Sequence, residues 1–212
     1  MSFLENLEQK RHPVFSWRRW VIKPLVWIAC LTPLAMLVYD GFTDNLTANP
    51  IEKITNETGI WTLRLIVATL AITPLRRLTG LNQLVNYRRL IGLFAFFYGS
   101  LHFTTFFFFD HQFDVAAMWQ DVLKRPYITA GFTAFVLMIP LAVTSTSGWI
   151  RRLGGRRWNL LHRLIYFTAL AAALHYFWKV KLDTTSPIYY GLIIIGLLAV
   201  RAWRWSVTRA KA

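Results

Sequence analysis

The stretch Leu90–Phe109 reads LIGLFAFFYGSLHFTTFFFF and contains no Asp, Glu, Lys or Arg. Its single histidine is His102, placed well inside the apolar run. An α-helix needs ~20 mostly apolar residues to cross the hydrocarbon core of a bilayer. This stretch therefore predicts a membrane-spanning helix that carries an imidazole at depth.

Five further apolar stretches of similar length lie along the chain. They are Trp20–Tyr39, Gly59–Leu75, Tyr127–Thr144, Leu160–Trp178 and Ile188–Trp205. The second of these is the weakest, because Arg64 interrupts it. The connecting segments are rich in Gly, Pro, Asn, Asp and Ser, which favour turns and loops. The sequence thus predicts an all-α integral membrane protein, a bundle of six transmembrane helices.

The composition supports a membrane protein. Apolar residues make up 55% of the 212 residues and charged residues 16%, whereas a soluble domain is ~25% charged. The single cysteine, Cys30, excludes an intramolecular disulfide and any cysteine-based zinc or iron–sulfur site. No cleavable signal peptide is predicted, because the first 16 residues are polar and no small-residue cleavage site follows.

The basic residues are distributed unevenly between the two sides of the predicted bundle. Of the 24 Lys and Arg, 18 lie in the N-terminal segment, the second and fourth loops and the C-terminal segment, whereas eight of the ten acids lie opposite. Cytoplasmic loops collect Lys and Arg, so both termini are predicted to face the cytoplasm. The net charge of +14 is then a topology signal, and nucleic-acid binding is not expected.

Three histidines lie inside or at the edge of predicted spans, namely His102, His162 and His175. Ionisable groups in a bilayer are costly and usually functional, and imidazole is a common axial ligand of heme iron. With a rise of ~1.5 Å per residue, they lie roughly 20, 7 and 27 Å above the cytoplasmic edge. His102 and His175 are therefore predicted to be a bis-histidine pair that ligates one heme iron in the periplasmic half. His12 and His111 receive no role.

His162 lies at a level that matches no other histidine. A second heme there would need another ligand or an open coordination site. The 13-residue spacing puts His162 and His175 about 140° apart on an ideal helix, so one stacked heme column requires either a bend in the helix or side chains that reach around it. Arg88 and Arg89 lie near this depth and are candidates for binding heme propionates, although ordinary positive-inside residues are the favoured interpretation. Arg64 is likewise a candidate propionate ligand of the outer heme, with snorkelling to the interface favoured.

Function classes can be compared at this point. No acid falls inside a predicted span, whereas ion-coupled transporters place carboxylates along their path. No P-loop or GxGxxG unit is present, so electrons would have to come from another molecule. A heme electron-transfer subunit is favoured over a non-redox transporter or assembly scaffold. No catalytic residue is identified.

Several motifs resemble the MsrQ (YedZ) family, the heme-binding membrane subunits of the MsrPQ protein-methionine-sulfoxide reductase system, which have a ferric-reductase-like transmembrane domain. The similar segments are Tyr87–Leu93 (YRRLIGL), Ser100–Thr104 (SLHFT), Arg125–Gly131 (RPYITAG), Leu141–Thr146 (LAVTST), Trp158–Tyr166 (WNLLHRLIY) and His175–Lys181 (HYFWKVK). The resemblance extends from about residue 17 to 205.

The resemblance implies a heme b subunit of the bacterial inner membrane. Electrons would come from a quinol or a cytoplasmic flavin reductase and leave to a periplasmic molybdopterin methionine sulfoxide reductase (MsrP-like). That partner would carry out the sulfoxide chemistry, for repair of oxidised periplasmic proteins. FMN is implied as a further cofactor, although no flavin pocket is evident in the sequence. A transmembrane ferric or quinone reductase with another acceptor is the alternative.

The resemblance also implies residue roles and boundaries. His102 and His175 match the outer ligand pair, and His162 matches one inner ligand. The partner position of His162 is Arg88, which departs from the two-heme pattern and leaves a second heme open. The expected organisation is a cytoplasmic N-terminal segment over residues 1–19, the six-helix heme domain over residues 20–205, and a cytoplasmic tail over residues 206–212.

Overall fold

The computed structural model describes residues 17–209, which are almost entirely helical and contain no strand. The helices are α1 (Trp17–Phe42), α2 (Pro50–Thr79), α3 (Val85–Thr105), α4 (Val115–Lys124), α5 (Pro126–Val143), α6 (Ser147–Leu161), α7 (Leu164–Lys179) and α8 (Thr185–Arg209). A 3₁₀ turn, Asn82–Leu84, precedes α3, and a π-helical turn, Phe106–Asp110, continues it. The predicted all-α class is confirmed, while His12 lies outside the described residues.

Five helices within residues 17–209 are long and apolar enough to cross a membrane. These spans are Trp20–Phe42, Pro50–Thr79, Asn82–Asp110, Pro126–Val143 and Thr185–Val207. Helices α6 and α7 together form a sixth candidate, which is bent by 42° at a short break. With 16 residues, α7 alone is ~24 Å long, so it needs part of α6 to match a hydrocarbon core of ~30 Å. The six predicted spans are therefore five continuous helices and one broken one.

The structure differs from the sequence prediction in three connecting segments, which were expected to be loops. Helix α2 begins at Pro50, capped by Asn49, whose side chain accepts from Glu52 N at 3.2 Å. Helix α4 is capped by Asp114, whose side chain accepts a hydrogen bond from Ala117 N. Helix α6 is capped by Thr146, whose side chain accepts one from Trp149 N. These caps satisfy orphan N–H groups, so short polar segments form helices despite their turn-rich composition.

The centre of the bundle is where α2, α3, α7 and α8 meet. Ile66 of α2, Ala169 of α7 and Ile194 of α8 are fully buried there. Helix α3 packs most extensively against α2, and α7 against α5. This arrangement places His102 on α3 and His175 on α7, each next to a neighbouring helix that presents backbone to it.

Candidate functional site

His102 and His175 lie near the C-terminal ends of α3 and α7, in what we call the outer half of the bundle, and their rings are close together. Their ring centroids are 6.0 Å apart and the ring planes are inclined at 75°. Two imidazoles that bond one metal ion through nitrogens at ~2 Å place their centroids roughly 6 Å apart. The separation therefore fits a single metal ion between the two rings, as the depth argument from the sequence requires.

The hydrogen bonds of the two rings define their tautomers. His102 Nδ1 lies 2.9 Å from the carbonyl oxygen of Thr55, and His175 Nδ1 lies 2.6 Å from that of Tyr127. A carbonyl oxygen can only accept, so both Nδ1 atoms must carry the proton. Each Nε2 then keeps its lone pair. Histidine ligands of metals usually have this arrangement, with one nitrogen fixed by a backbone carbonyl and the other free to coordinate.

Two glycines make room for these rings. A Cβ atom on Gly59 of α2 would lie 3.0 Å from His102 Nδ1, and one on Gly131 of α5 would lie 2.6 Å from His175 Nδ1. Sequence reasoning gave these glycines no role. The available signal was their position inside apolar helices, where an isolated glycine usually has a packing reason.

An outer cavity of about 1110 Å³ contains both imidazoles on its wall. This volume is at the upper end of the ~300–1,000 Å³ typical of cofactor and ligand sites. Aromatic side chains line its middle, where Phe103 stacks on Phe135 with centroids 4.7 Å apart. Its polar lining includes Glu52, Asn56, Glu57, Asp110, His111, Asp121, Arg125 and Lys179. The walls thus suit a large, mainly apolar group with a polar edge.

An inner cavity of about 1050 Å³ lies below it, and Ile66 and Met138 line both. Its lining contains no Asp or Glu among the described residues but does contain six arginines. They are Arg77, Arg88, Arg89, Arg163, Arg201 and Arg204. Such a concentration of guanidinium groups suits an anion, because their donors bind phosphate and carboxylate with charge-assisted hydrogen bonds.

His162 lies on this inner cavity, in the break between α6 and α7. Its ring stacks on Trp158 at a centroid distance of 3.8 Å, and its Nε2 lies 3.1 Å from Thr144 Oγ1. The Thr144 hydroxyl donates its one proton to the Pro140 carbonyl at 2.6 Å, so His162 Nε2–H donates to Thr144. His162 therefore differs from the outer pair, whose Nε2 atoms are unprotonated. A bend, one of the two ways in which His162 and His175 could serve a single heme column, is present at His162 itself.

The three arginines singled out in the sequence are divided between the two cavities, with Arg64 on the outer one and Arg88 and Arg89 on the inner one. Arg64 lies on the wall of the outer cavity, where its Nε donates to the Tyr190 hydroxyl at 3.0 Å and its guanidinium lies over Trp61. The predicted span began at Gly59, five residues before Arg64, whereas helix α2 begins at Pro50, fourteen residues before it. Arg88 lines the inner cavity together with His162, as their similar depth predicted.

Sequence reasoning left two further polar side chains of the outer cavity without a role. They are His111, in the turn after α3, and Lys179, at the end of α7.

In the described part of the chain, no group of three or more His, Cys, Asp or Glu could hold a metal ion. A site built on two protein ligands is thus compatible with a metal that brings its other ligands in a macrocycle.

Comparison with known proteins adds to this geometry. Residues 58–173 match the family described as ferric reductase like transmembrane component. Over 188 residues the chain is 56% identical to the protein-methionine-sulfoxide reductase heme-binding subunit MsrQ of Herminiimonas arsenicoxydans, covering 87% of this chain and 86% of that protein. The protein of the same name from Ralstonia nicotianae is 50% identical over 184 residues, covering 86% and 85%. That from Caulobacter vibrioides is 46% identical over 188 residues, covering 89% and 90%.

Proposed function

This chain belongs to the ferric-reductase-like transmembrane family and, within it, to the MsrQ heme-binding subunits, and on that premise we propose that it carries electrons to a methionine sulfoxide reductase. In the proposed function, a heme b in the bacterial inner membrane passes them to a periplasmic molybdopterin enzyme that repairs oxidised proteins. The observation that carries the proposal is the His102–His175 pair, 6.0 Å apart with both Nδ1–H groups held by carbonyls. The relatives' names supply the heme and the sulfoxide reductase.

The outer cavity is the proposed site of the heme. His102 and His175 would supply the two axial nitrogens, and Gly59 and Gly131 leave space for the rings to stand in that orientation. The bound heme would supply one-electron chemistry, which the side chains lining the cavity lack. The carbonyls of Thr55 and Tyr127 orient the ligands and raise their basicity, while the phenylalanine walls keep the site apolar.

The inner cavity is the proposed entry point for electrons from a quinol or a cytoplasmic flavin reductase. Its six arginines support binding of an anionic cofactor, either FMN or a second heme. A second bis-histidine heme would require His162 Nε2 to leave Thr144 and a further ligand to appear. Arg88 cannot be that ligand, because a guanidinium has no free lone pair. The residues therefore favour FMN, whose phosphate the arginines would hold.

The orientation in the membrane follows from the same charge pattern. The Arg-lined cavity would face the cytoplasm, with both termini, since cytoplasmic segments collect Lys and Arg. The outer cavity would then lie near the periplasmic surface, where the partner enzyme docks. The bacterial origin of the relatives fits an inner-membrane location.

The first test is an absorption spectrum of detergent-purified protein, oxidised and dithionite-reduced, with pyridine hemochrome and flavin quantification. We expect a b-type spectrum that His102→Ala and His175→Ala each abolish. His162→Ala is the matched control, because it removes an imidazole of the same chain while leaving the outer pair intact. About one heme and one flavin per chain is expected. A colourless wild-type protein, even after heme supplementation during expression, would defeat the proposal.

A transmembrane ferric or quinone reductase is the second candidate, favoured by the description of the matched family. Stopped-flow mixing separates the two functions. Reduced protein is mixed with a periplasmic molybdopterin sulfoxide reductase, with ferric citrate or with a soluble quinone. Rapid reoxidation of the heme by the sulfoxide reductase alone is expected, whereas rapid reoxidation by ferric citrate or quinone alone would favour the alternative.

A further inference from the structure

Lys179 lies at the outer edge of the proposed heme site. It follows His175 by one helical turn, so both side chains are on the same face of α7. Its ammonium donates to the side-chain oxygen of Asn56 on α2, and Asn56 adjoins Thr55, whose carbonyl holds His102. The charge of Lys179 thus lies one helical turn from His175 and next to the α2 segment whose Thr55 carbonyl accepts from His102.

The ammonium of Lys179 is only partly compensated by neighbouring groups within the described residues. An ammonium has three donors, and Asn56, the side chain that accepts a hydrogen bond from it, is a neutral amide. No carboxylate of residues 17–209 forms an ion pair with Lys179. Glu52 and Asp110 line the same cavity and act on the Lys179 charge from beyond ion-pair distance, and both are exposed to solvent. A partly buried cation with unused donors is costly unless an anion joins it.

A second nitrogen on the same cavity, which is a donor when it is protonated, has no hydrogen-bond partner in the described part of the chain. His111 Nε2 is buried without a hydrogen bond among the described residues, and the side chain is 8% exposed. Asp121 Oδ2 lies 3.7 Å away, too far for a hydrogen bond, and the same carboxylate is next to Arg125. The ring packs edge-on against Phe106, which fixes its position. Buried polar atoms are nearly always satisfied, so this one indicates a missing partner.

We propose that Lys179 and His111 form a carboxylate-binding rim of the outer cavity, which receives the propionate groups of the heme held by His102 and His175. The inference rests on the proposed function. Two independent donors face one cavity, and a heme is the occupant whose own carboxylates would satisfy both. In this arrangement Lys179 is also a positioning residue for redox chemistry, because its charge stabilises the electron-richer reduced heme.

The test is a spectroelectrochemical titration of the purified holoprotein, with the heme content measured in parallel. Lys179→Met is expected to lower the reduction potential of the heme. The expected change is about tenfold in the oxidised-to-reduced ratio at a fixed ambient potential, which corresponds to a shift of ~59 mV in a one-electron reduction potential. Lys179→Arg, which keeps the positive charge, is expected to have a reduction potential close to that of the wild type. Lys181→Met is the matched control, since it removes the same charge two residues away on an exposed side chain.

The His111 arm uses resonance Raman spectroscopy, because the propionate bending mode reports hydrogen bonding to the carboxylate. His111→Leu is expected to shift this mode, and His111→Gln, which keeps an N–H donor, to shift it less. Equal spectra for wild type and His111→Leu would remove His111 from the rim.

The remaining outcomes distinguish a failure of the proposed carboxylate-binding rim from a failure of the proposed heme function. An unchanged potential in Lys179→Met with full heme content, or an equal shift in Lys181→Met, would overturn the rim while leaving the heme function standing. Heme loss in Lys179→Met that Lys179→Arg repairs would support it. Heme loss in both variants would overturn it, since a cation would not suffice. A wild-type protein without heme would instead defeat the proposed function itself.

Discussion

Tyr98 donates its hydroxyl proton to the backbone carbonyl of Cys30 at 2.8 Å, and this bond fastens α1 to α3. The same oxygen accepts from Leu34 N at 3.1 Å, so the phenol bridges two backbone groups that bond each other in a regular helix. Pro33 lies between them and disturbs the helix at this point. The helix that carries His102, a proposed heme ligand, is thereby tied to a helix that is otherwise largely exposed.

Tyr98→Phe is expected to destabilise the protein by about 1–3 kcal/mol, because both α1 groups lose a partner away from water. Thermal unfolding in detergent should show a lower midpoint, while the heme ligands remain in place. Tyr39→Phe is the control, since Tyr39 is 65% exposed. Equal midpoints for the two variants would show that the bridge contributes nothing.

Gly131→Ala is expected to reduce the heme content severalfold, because the new methyl group would lie 2.6 Å from His175 Nδ1. Gly59→Ala should have a smaller effect, at 3.0 Å from His102. Pyridine hemochrome assay of purified protein measures both. Gly196→Ala on α8 is the matched control, because nothing lies within 4 Å of its added Cβ. A Gly131→Ala protein with full heme would contradict the assigned ligand geometry.

Arg88→Gln is expected to lower the flavin retained on purification by ~10-fold or more, since a charged hydrogen bond to a phosphate would be lost. The outer heme should be unaffected, because Arg88 lines the inner cavity and not the outer one. Acid extraction with fluorescence detection measures the flavin. Arg151→Gln, an exposed arginine on neither cavity, controls for net charge. Flavin loss of equal size in the control would exclude a specific site.

Lys53→Met is expected to change stability by less than ~1 kcal/mol, although its ammonium lies 2.7 Å from Asp40. Both side chains are partly exposed, at 24% and 31%, so water and salt screen the pair. The unfolding midpoint should fall less than in Tyr98→Phe. A larger fall would mean that the ion pair, and not the phenol bridge, is the stronger tie between α1 and the bundle.

The sequence predicted features that depend on continuous segments. Helical spans follow from local sums of hydropathy, so the segment around His102 could be recognised without knowing its neighbours. The depths of His102 and His175 followed from counting residues along two helices of fixed rise. Helix α4 was missed because it is only ten residues long, and α6 because its glycines and arginines resemble a loop. Their caps at Asp114 and Thr146 were not recognised as helix starts.

The tertiary structure alone decided how the site is built. Each Nδ1 bond joins residues 47 or 48 positions apart, and Lys179 meets Asn56 across 123 positions. No periodic pattern in the sequence predicts such contacts. In a membrane the lipid-facing and the packed faces of a helix are both apolar, so hydropathy does not distinguish them. The candidate ligands His102 and His175 could be selected from residue type and depth. The free Nε2 atoms, the glycine clearances at Gly59 and Gly131 and the different state of His162 depend on which backbone lies opposite each ring.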